Sequence, residues 1–283
     1  MQYSIKQALN LGSSQLREVG IDNAAVDVRM LLEHSLKLSH EALILKQEHK
    51  ISDIEFKHFF ELIERRKKFE PIAYLVNKKE FYDLEFYINE SVLIPRPDSE
   101  TLIDEALGYF DSKSYVKILD LGVGSGCLLL TLLHHFQNAT GVAVDVSDKA
   151  LEVTKHNYQK FKLKNPVEFL ASDWNNLQLN NKFDLIVSNP PYIKNKDIQN
   201  LQKDVKNYEP LTALEGGDDG LECYRKLIPI IRNLLKSQAI AIIECGEGQH
   251  EELAEIAKNN GLNIKKYSRD LAGIVRCLTV SLL

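Results

Sequence analysis

The sequence reads Asp120-Leu121-Gly122-Val123-Gly124-Ser125-Gly126-Cys127 where an apolar run, residues 116–121, gives way to a helical stretch, residues 128–136. Glycines let the chain turn sharply and approach a ligand closely, and the following helix supplies unpaired N–H groups at its first turn. A strand, a glycine loop and a helix in this order are typical of a nucleotide-like cofactor site in an α/β fold. This stretch therefore decides the expected fold and the expected place of the site.

Further apolar runs continue the same pattern toward the end of the chain. They cover residues 141–146, 167–170, 183–187 and 239–244, with segments of helical length between them. This alternation predicts a doubly wound, Rossmann-like α/β domain built on a mostly parallel sheet. Residues 263–267 and 274–283 lie too close together for an intervening helix, so they are expected to form an antiparallel C-terminal hairpin at the sheet edge.

The first part of the chain, residues 1–75, predicts a small helical domain. Its apolar residues recur near helical spacing, and glycine is rare. Helix breaks are expected at Gly12 and Gly20. Ser52 is expected to cap a last helix that ends in the basic run 65–68.

A linker and the cofactor domain are expected to follow. Residues 76–98 are rich in aromatic and β-branched residues and predict a β-hairpin extending to Ile94. The sequence Pro95-Arg96-Pro97 then forces extended backbone, and a helix begins near Ser99. Residues 99–283 are predicted to form the cofactor-binding domain.

Composition limits the class of protein. The 283 residues carry a formal net charge of -5, which argues against an affinity built on neutralising many phosphates. No run approaches the roughly 18 apolar residues that span a bilayer, and no signal-peptide core is evident, so a cytoplasmic protein is expected. The four cysteines are widely spaced without a C-x-x-C pair, so free thiols and no metal site are expected.

The spacing of the glycine loop indicates which cofactor it binds. A dinucleotide site uses G-x-G-x-x-G, whereas this loop is G-x-G-x-G with Cys127 at the place of the third glycine. Pyrophosphate is therefore disfavoured, and S-adenosylmethionine, which has no phosphate, is favoured. A purely structural glycine turn and an NAD site remain the alternatives. Residues 122–126 are predicted to contact the cofactor.

Two acidic residues at later strand ends complete the predicted cofactor site. Asp145 follows the loop by about 20 residues, where a carboxylate would accept hydrogen bonds from both ribose hydroxyls. It could instead serve only as a helix N-cap. Asp173 and Trp174 offer an acceptor and a flat apolar surface for adenine, although Trp174 could also be an ordinary core or surface aromatic residue.

The most specific motif is Asn189-Pro190-Pro191-Tyr192, which follows the run 183–187. Two adjacent prolines stiffen the loop and leave its carbonyls free to accept hydrogen bonds. If the Asn189 side-chain oxygen and the Pro190 carbonyl each accept one N–H of an amide or aromatic amino group, the nitrogen lone pair points at the sulfonium methyl. Tyr192 would pack on the planar target. An ordinary Pro-Pro turn is the alternative.

Together the motifs closely resemble the PrmC (HemK) family of release factor glutamine methyltransferases. The resemblance covers nearly the whole chain. It includes the segments 70–75, 93–97, 122–126, 172–174, 189–192, 213–220 and 244–246 and the single residue Asp145. One departure is Asp98-Ser99-Glu100, where members often have Glu-Thr-Glu. The other is Val123-Gly124-Ser125, where Thr-Gly-Thr is commoner.

The resemblance implies a function and a substrate. It implies that residues 122–126, Asp145 and Trp174 contact S-adenosylmethionine, which leaves as S-adenosylhomocysteine. Asp173 and Asn189 are also predicted to bind the cofactor. The resemblance further implies that residues 189–192 bind the glutamine of a Gly-Gly-Gln motif in a release factor, which the helical domain grips. A monomer without direct nucleic-acid binding is expected. A DNA or RNA amino-group methyltransferase and a non-enzymatic cofactor-binding scaffold are the rival hypotheses.

Overall fold

The structure is a computed structural model and describes residues 3–283. Its contacts divide the chain into two units. One comprises the residues up to Lys78 together with Gln202–Tyr208, and the other comprises Lys79–Leu201 and Glu209–Leu283. The short segment 202–208 thus groups with the N-terminal residues rather than with its sequence neighbours, a feature that no sequence pattern indicated.

The helices and strands are as follows. The helices are α1 (Ile5–Glu18), α2 (Ala24–Leu36), α3 (His40–Leu45), α4 (Asp53–Arg66), α5 (Ile72–Leu75), α6 (Glu100–Tyr109), α7 (Cys127–His135), α8 (Asp148–Phe161), α9 (Lys203–Tyr208), α10 (Glu222–Leu234) and α11 (His250–Asn259). The strands are β1 (Lys78–Phe81), β2 (Leu84–Tyr87), β3 (Lys117–Leu121), β4 (Thr140–Asp145), β5 (Val167–Ala171), β6 (Phe183–Ser188), β7 (Leu235–Glu244), β8 (Leu262–Arg269) and β9 (Val275–Leu282). None of the helices within residues 3–283 is long and apolar enough to cross a membrane.

The N-terminal unit is helical, as predicted, and α1, α3 and α4 each start at a serine side-chain cap. Ser52 forms a capping box with Glu55 at the start of α4, which confirms the predicted N-cap. Gly20 has a φ of +84° just after α1, where a break was expected. The break predicted at Gly12 was wrong, because Gly12 lies inside α1. A Cβ there would lie 2.9 Å from Val28 Cγ1, so glycine at this position permits close helix packing.

The second unit contains the predicted doubly wound sheet. Its strand order is β5-β4-β3-β6-β7-β9-β8, with parallel pairing from β5 through β7. Strand β9 pairs antiparallel with both β7 and β8, which confirms the C-terminal hairpin. The central strands carry fully buried apolar residues, among them Leu119, Ile186 and Ile243, as expected where both faces of a sheet are covered.

The linker hairpin is shorter than predicted. Strands β1 and β2 form a two-stranded sheet that ends at Tyr87, whereas pairing was expected to reach Ile94. Asn89 explains the difference, because its side-chain oxygen accepts from Ser91 N and its carbonyl from Val92 N, which turns the chain. Val92 and Ile94 are nevertheless buried, so their apolar character reflects packing without strand pairing.

Strand order brings the two sequence motifs to the same edge of the sheet. Strand β3 pairs in parallel with β6, with Asp120 opposite Val187. The loops at 122–126 and 189–192 follow the carboxyl ends of these two neighbouring strands. Ser188 Oγ also donates to Leu121 O at 2.6 Å, which ties the strand ends together. This is the switch-point edge where open α/β sheets bind ligands.

Asn157, on α8, links the glycine loop to the hairpin. Its fully buried amide donates to Ser125 O and to Tyr87 O and accepts from Tyr87 N. Replacement by alanine leaves three backbone groups without these partners, so we expect the second unit to lose about 2–4 kcal/mol of unfolding free energy. Urea denaturation is the measurement, and Gln159→Ala on the exposed face of α8 is the control. Equal stability of the two variants would contradict the assigned role.

Candidate functional site

A cavity of about 250 Å³ opens at the carboxyl edge of the sheet in the second unit. Most of its wall comes from loops that follow β3, β4, β5 and β6, together with the segment 91–99 and residues 210–213. Of the predicted site residues, the lining includes Gly122, Val123, Gly124, Ser125, Asp145, Asp173, Trp174, Asn189 and Pro191. The other three, Gly126, Pro190 and Tyr192, flank it without lining it.

The glycine loop adopts backbone angles that require glycine. Gly122, Gly124 and Gly126 have φ values of +87°, +55° and +83°. At Gly126 a side chain would also be excluded by packing, since a Cβ would lie 2.8 Å from Thr154 Cγ2. Thr154 Oγ1 donates to Gly124 O at 2.8 Å and so holds the loop against α8. Contacts within the protein therefore hold the shape of the loop.

Asp145 ends β4 beside this loop. Its Oδ2 accepts from Gly124 N and its Oδ1 from Ser147 N, both at 2.9 Å. Ser147, not Asp145, is the N-cap of α8, because the Ser147 side chain accepts from Ala150 N. Burial raises the pKa of Asp145, and the two backbone donors oppose that rise. Each carboxylate oxygen keeps acceptor capacity toward the cavity.

Asp173 and Trp174 lie at the end of the neighbouring strand, β5. Asp173 Oδ1 accepts from Asn175 N at 2.7 Å and caps a short 3-10 turn, while its side chain stays exposed. Trp174 is half-buried and packs on the central core, and its ring lies 3.6 Å from the place of a Cβ on Gly122. Trp174 thus provides an apolar wall beside the glycine loop, as well as core packing.

The Asn-Pro-Pro-Tyr loop presents Asn189 to the cavity. Asn189 Nδ2 donates to Ser99 Oγ at 3.1 Å, and the side-chain oxygen has no hydrogen-bond partner among residues 3–283. The amide therefore shows its acceptor atom rather than its donor. Pro191 also lines the cavity, whereas Pro190 is buried.

Contacts from three other segments support this loop from behind. Gln249 Nε2 donates to Tyr192 O at 3.0 Å. A Cβ on Gly216 would lie 2.7 Å from the Tyr192 backbone, and a Cβ on Gly220 would lie 2.6 Å from Tyr192 O. Tyr192 Oη donates to Glu244 Oε1 at 3.3 Å. Burial raises the pKa of the Tyr192 phenol, so the hydroxyl remains a donor at neutral pH.

The turn at Pro95-Arg96-Pro97 is held by ion pairs. Arg96 Nη2 lies 2.6 Å from Glu209 Oε1, and the same carboxylate accepts from Ile94 N at 3.2 Å. One residue beyond the turn, Asp98 pairs with Arg276 at 3.0 Å. These contacts fix the segment that carries Ser99 toward Asn189.

Comparison with known proteins places the chain in a family. Two family models match it, the PrmC N-terminal domain over residues 7–76 and the methyltransferase small domain over residues 102–206. A release factor glutamine methyltransferase of Clostridium acetobutylicum is 35% identical over 274 residues, which cover 96% of this chain and 96% of that protein. The chain belongs to the PrmC family of release factor glutamine methyltransferases. This confirms the family that the motifs indicated.

Other PrmC relatives differ in length. The release factor glutamine methyltransferase of Bradyrhizobium diazoefficiens is 35% identical, with 98% of this chain and 94% of that protein covered. A bifunctional methyltransferase of Rickettsia felis is 36% identical over 99% of this chain, but the match spans only 58% of that longer protein. The chain thus spans little more than half the length of its Rickettsia relatives.

Solved structures show the fold of the PrmC catalytic unit in more distant proteins. A ribosomal protein L11 methylase from Lactobacillus delbrueckii subsp. bulgaricus has a TM-score of 0.52 at 16% identity, covering 69% of this chain and 83% of that one. A methyltransferase from Pyrococcus furiosus also has a TM-score of 0.52, at 17% identity, covering 77% and 97%. These similarities confirm the predicted methyltransferase-type α/β fold.

Several residues of this PrmC-family site were not predicted from the sequence. Ser99 was expected as a helix start and within a departure from the family pattern, and Glu244 as a strand end within the resembling segment 244–246, but neither was assigned to the site. Glu209 and Cys223 had no predicted role, yet Glu209 anchors the proline-arginine-proline turn and Cys223 lines the cavity. Each lies far in sequence from Asn189, and no local spacing signals its contact. All four cysteines lie in the described part of the chain and carry free thiols.

Two buried carboxyls near the site predict a pH dependence of stability. Burial raises the pKa of Asp120 to about 8 and that of Glu244 to about 7. In the unfolded chain these groups lose their protons near their ordinary pKa values of 3.8 and 4.5. As pH rises from there toward 7 or 8, the unfolded state releases protons that the folded state keeps, so stability falls.

We therefore expect Asp120→Asn to flatten this fall. The asparagine copies the neutral carboxyl and retains an acceptor for Leu129 N, which Asp120 Oδ2 meets at 3.2 Å. Urea unfolding of the wild type and the variant between pH 5 and pH 8 measures the difference. The same slope in both proteins would contradict the raised pKa of Asp120.

Proposed function

We propose that this chain transfers a methyl group from S-adenosylmethionine to the side-chain amide nitrogen (N5) of the glutamine in the Gly-Gly-Gln motif of a peptide chain release factor. The observation that carries the proposal is the Asn189 amide, whose unpartnered oxygen faces a cavity that the glycine loop also lines. The PrmC relatives, which are named release factor glutamine methyltransferases, support this choice of substrate. Because release factors act at the ribosome, the proposed reaction takes place in the cytoplasm.

The residues around the cavity support S-adenosylmethionine as its occupant. The glycine loop leaves room for a chain of atoms to pass close to the backbone, and Asp145 retains acceptor capacity for ribose hydroxyls. Trp174 and the exposed carboxylate of Asp173 border the same space and suit an adenine ring. When bound, the cofactor supplies an electrophilic methyl on a positively charged sulfur and leaves as S-adenosylhomocysteine. We assign residues 122–126 to the shaping of this site.

The acceptor half of the cavity suits a planar amide. An amide nitrogen carries two N–H donors and a delocalised lone pair, so it needs orientation more than a strong base. We assign the Asn189 oxygen and the Pro190 carbonyl as acceptors for those two donors. Pro191 keeps the loop rigid, and Tyr192 stabilises it through Glu244 and Gln249. The nitrogen loses a proton to water as the new C–N bond forms.

Nucleic acid is the rival acceptor, because exocyclic amino groups of bases present the same two N–H donors. The net charge of -5 disfavours it, since affinity for nucleic acid depends on neutralising phosphates. All residues assigned here belong to a single chain, so the proposal requires only a monomer.

One experiment tests the acceptor. The purified protein is incubated with methyl-labelled cofactor and one of three acceptors: a release factor, the same factor with alanine at the Gly-Gly-Gln glutamine, or duplex DNA. Mass spectrometry then locates the label. We expect one methyl on the glutamine and none on the other two acceptors. Label on DNA, or on the alanine variant, would overturn the assignment.

A further inference from the structure

The proposed reaction needs the Asn189 amide in one of its two orientations. An asparagine amide can rotate by half a turn and exchange its oxygen and its NH2 group at little cost in shape. Only the orientation with the oxygen toward the cavity can accept an N–H of the target. Some contact must therefore select that orientation.

Ser99 is the contact on the NH2 side. Its side chain is only 2% exposed, and its Oγ accepts from Asn189 Nδ2 at 3.1 Å. A serine hydroxyl can, however, both donate and accept. If it donated toward Asn189, it would favour the opposite orientation of the amide. Ser99 favours the orientation with the Asn189 oxygen toward the cavity only when its own hydroxyl donates to another acceptor.

Glu244 offers that acceptor. The residue is 1% exposed at the end of β7, where Ile243 pairs with Ser188 of β6, so Glu244 and Asn189 follow neighbouring strand ends. Burial raises the pKa of the Glu244 carboxyl, and the nearby Ser99 hydroxyl opposes that rise. Glu244 Oε1 already accepts from Tyr192 Oη, while Oε2 is buried without a hydrogen-bond partner among residues 3–283. An unpartnered buried carboxylate oxygen beside a hydroxyl is a natural acceptor for its proton.

We propose that Ser99 and Glu244 are positioning residues that set the polarity of a hydrogen-bond chain behind the acceptor site. With Glu244 ionised, its carboxylate accepts a hydrogen bond from the Ser99 hydroxyl, the Ser99 oxygen accepts one from Asn189 Nδ2, and the Asn189 oxygen is thereby directed at the substrate amide. Glu244 does not line the cavity, and Ser99, which does, is assigned to act through Asn189. The inference rests on the proposed function, because it assumes an N–H acceptor role for Asn189.

An isosteric pair of variants at Ser99 tests the chain. Ser99→Thr keeps the hydroxyl, whereas Ser99→Val has the same shape as threonine without it. We expect kcat on release factor within about threefold of wild type for Ser99→Thr and about tenfold below wild type for Ser99→Val. The cofactor Kd, measured by calorimetry, should stay within about twofold in both. Equal kcat in the two variants, or a Kd that rises as kcat falls, overturns the proposal.

A second variant tests whether Glu244 acts through Ser99. In Glu244→Gln, a side-chain oxygen that still accepts from Tyr192 leaves the NH2 group facing Ser99, so the Ser99 proton is turned toward Asn189. We expect kcat to fall about three- to tenfold. Combining this change with Ser99→Val should lower kcat no further than Ser99→Val alone, since both act on one chain. Additive losses would overturn the link.

Wild-type activity separates the two proposals. If the wild type leaves the release factor glutamine unmethylated, the proposed function fails whatever the variants do. If the wild type is active and Ser99→Val turns over as fast as Ser99→Thr, only the positioning proposal fails. Should the valine variant not fold by circular dichroism, Ser99→Ala, which adds no bulk, takes its place with the same expected loss.

Discussion

Replacing Asn189 with alanine is expected to lower kcat on release factor by about 10²–10³-fold while leaving cofactor affinity within about twofold. The size follows from removing one pre-positioned hydrogen-bonding group that acts on the reacting atoms. Asn189 Nδ2 donates to Ser99, and the Asn189 side-chain oxygen faces the cavity. The variant should therefore lose the group that orients the target nitrogen. Single-turnover kinetics with labelled cofactor measure the chemical step, and calorimetry measures binding.

The matched control for this variant is Asn181→Ala. Asn181 is an exposed asparagine just before β6, outside the cavity lining, so its loss should leave kcat unchanged. A parallel loss of cofactor affinity and turnover in Asn189→Ala would mean that Asn189 serves the cofactor. Unchanged turnover would remove Asn189 from the site altogether.

Replacing Asp145 with alanine is expected to raise the cofactor Kd by about 10–100-fold, which corresponds to about 1.4–2.8 kcal/mol. Two losses combine here. The carboxylate no longer accepts from ribose hydroxyls, and it no longer accepts from Gly124 N, so the glycine loop loses a fixing contact. At saturating cofactor, kcat should fall less than affinity, because the acceptor half of the cavity is untouched.

Asp148→Ala provides the control for Asp145. Asp148 is an exposed carboxylate in the first turn of α8. Replacing it with alanine changes the net charge as Asp145→Ala does, but leaves the Asp145 contacts with ribose and Gly124 N in place. Its cofactor Kd should stay within about twofold of wild type, since an exposed charge of this kind is worth only a few tenths of a kcal/mol. If Asp145→Ala bound cofactor as well as Asp148→Ala, the assignment of Asp145 to the cofactor site would be wrong.

Local patterns predicted the elements of the sheet well. Each predicted strand has an observed counterpart, because a strand covered on both faces needs a continuous apolar run that stands out from its surroundings. The start of one strand was misplaced. Strand β7 begins at Leu235 rather than at residue 239, because its first residues include the polar Lys236 and Ser237. Polar residues at a strand end give no apolar signal.

Contacts between distant segments could not be predicted in the same way. Gly12 was misjudged because its reason for being glycine lies on α2, at Val28, rather than in the local chain. Ser99 lies 90 residues before Asn189. Such pairs meet only after the sheet has formed, so neither spacing nor residue type announces them.

In the candidate site, too, local motifs were predictable from the sequence and contacts between distant residues were not. The motif at 122–126 and the residues 189–192 were recognisable because glycine and proline, which impose unusual backbone conformations, follow there in close succession. Tyr192 was expected to face the planar target, whereas its phenol points to Glu244 and its ring packs beside the core. Packing of Tyr192 on the target stays a prediction.

The backbone of Tyr192 rests on two positions that have no side chain. Gly216 and Gly220 approach it so closely that one added carbon at either place would meet main-chain atoms at 2.6–2.7 Å. Main-chain atoms cannot move away as the end of a flexible side chain can. Even a methyl group at either glycine would therefore displace the backbone of residues 189–192. Engineering of the proposed amide site must therefore keep Gly216 and Gly220 as well as the residues that line the cavity.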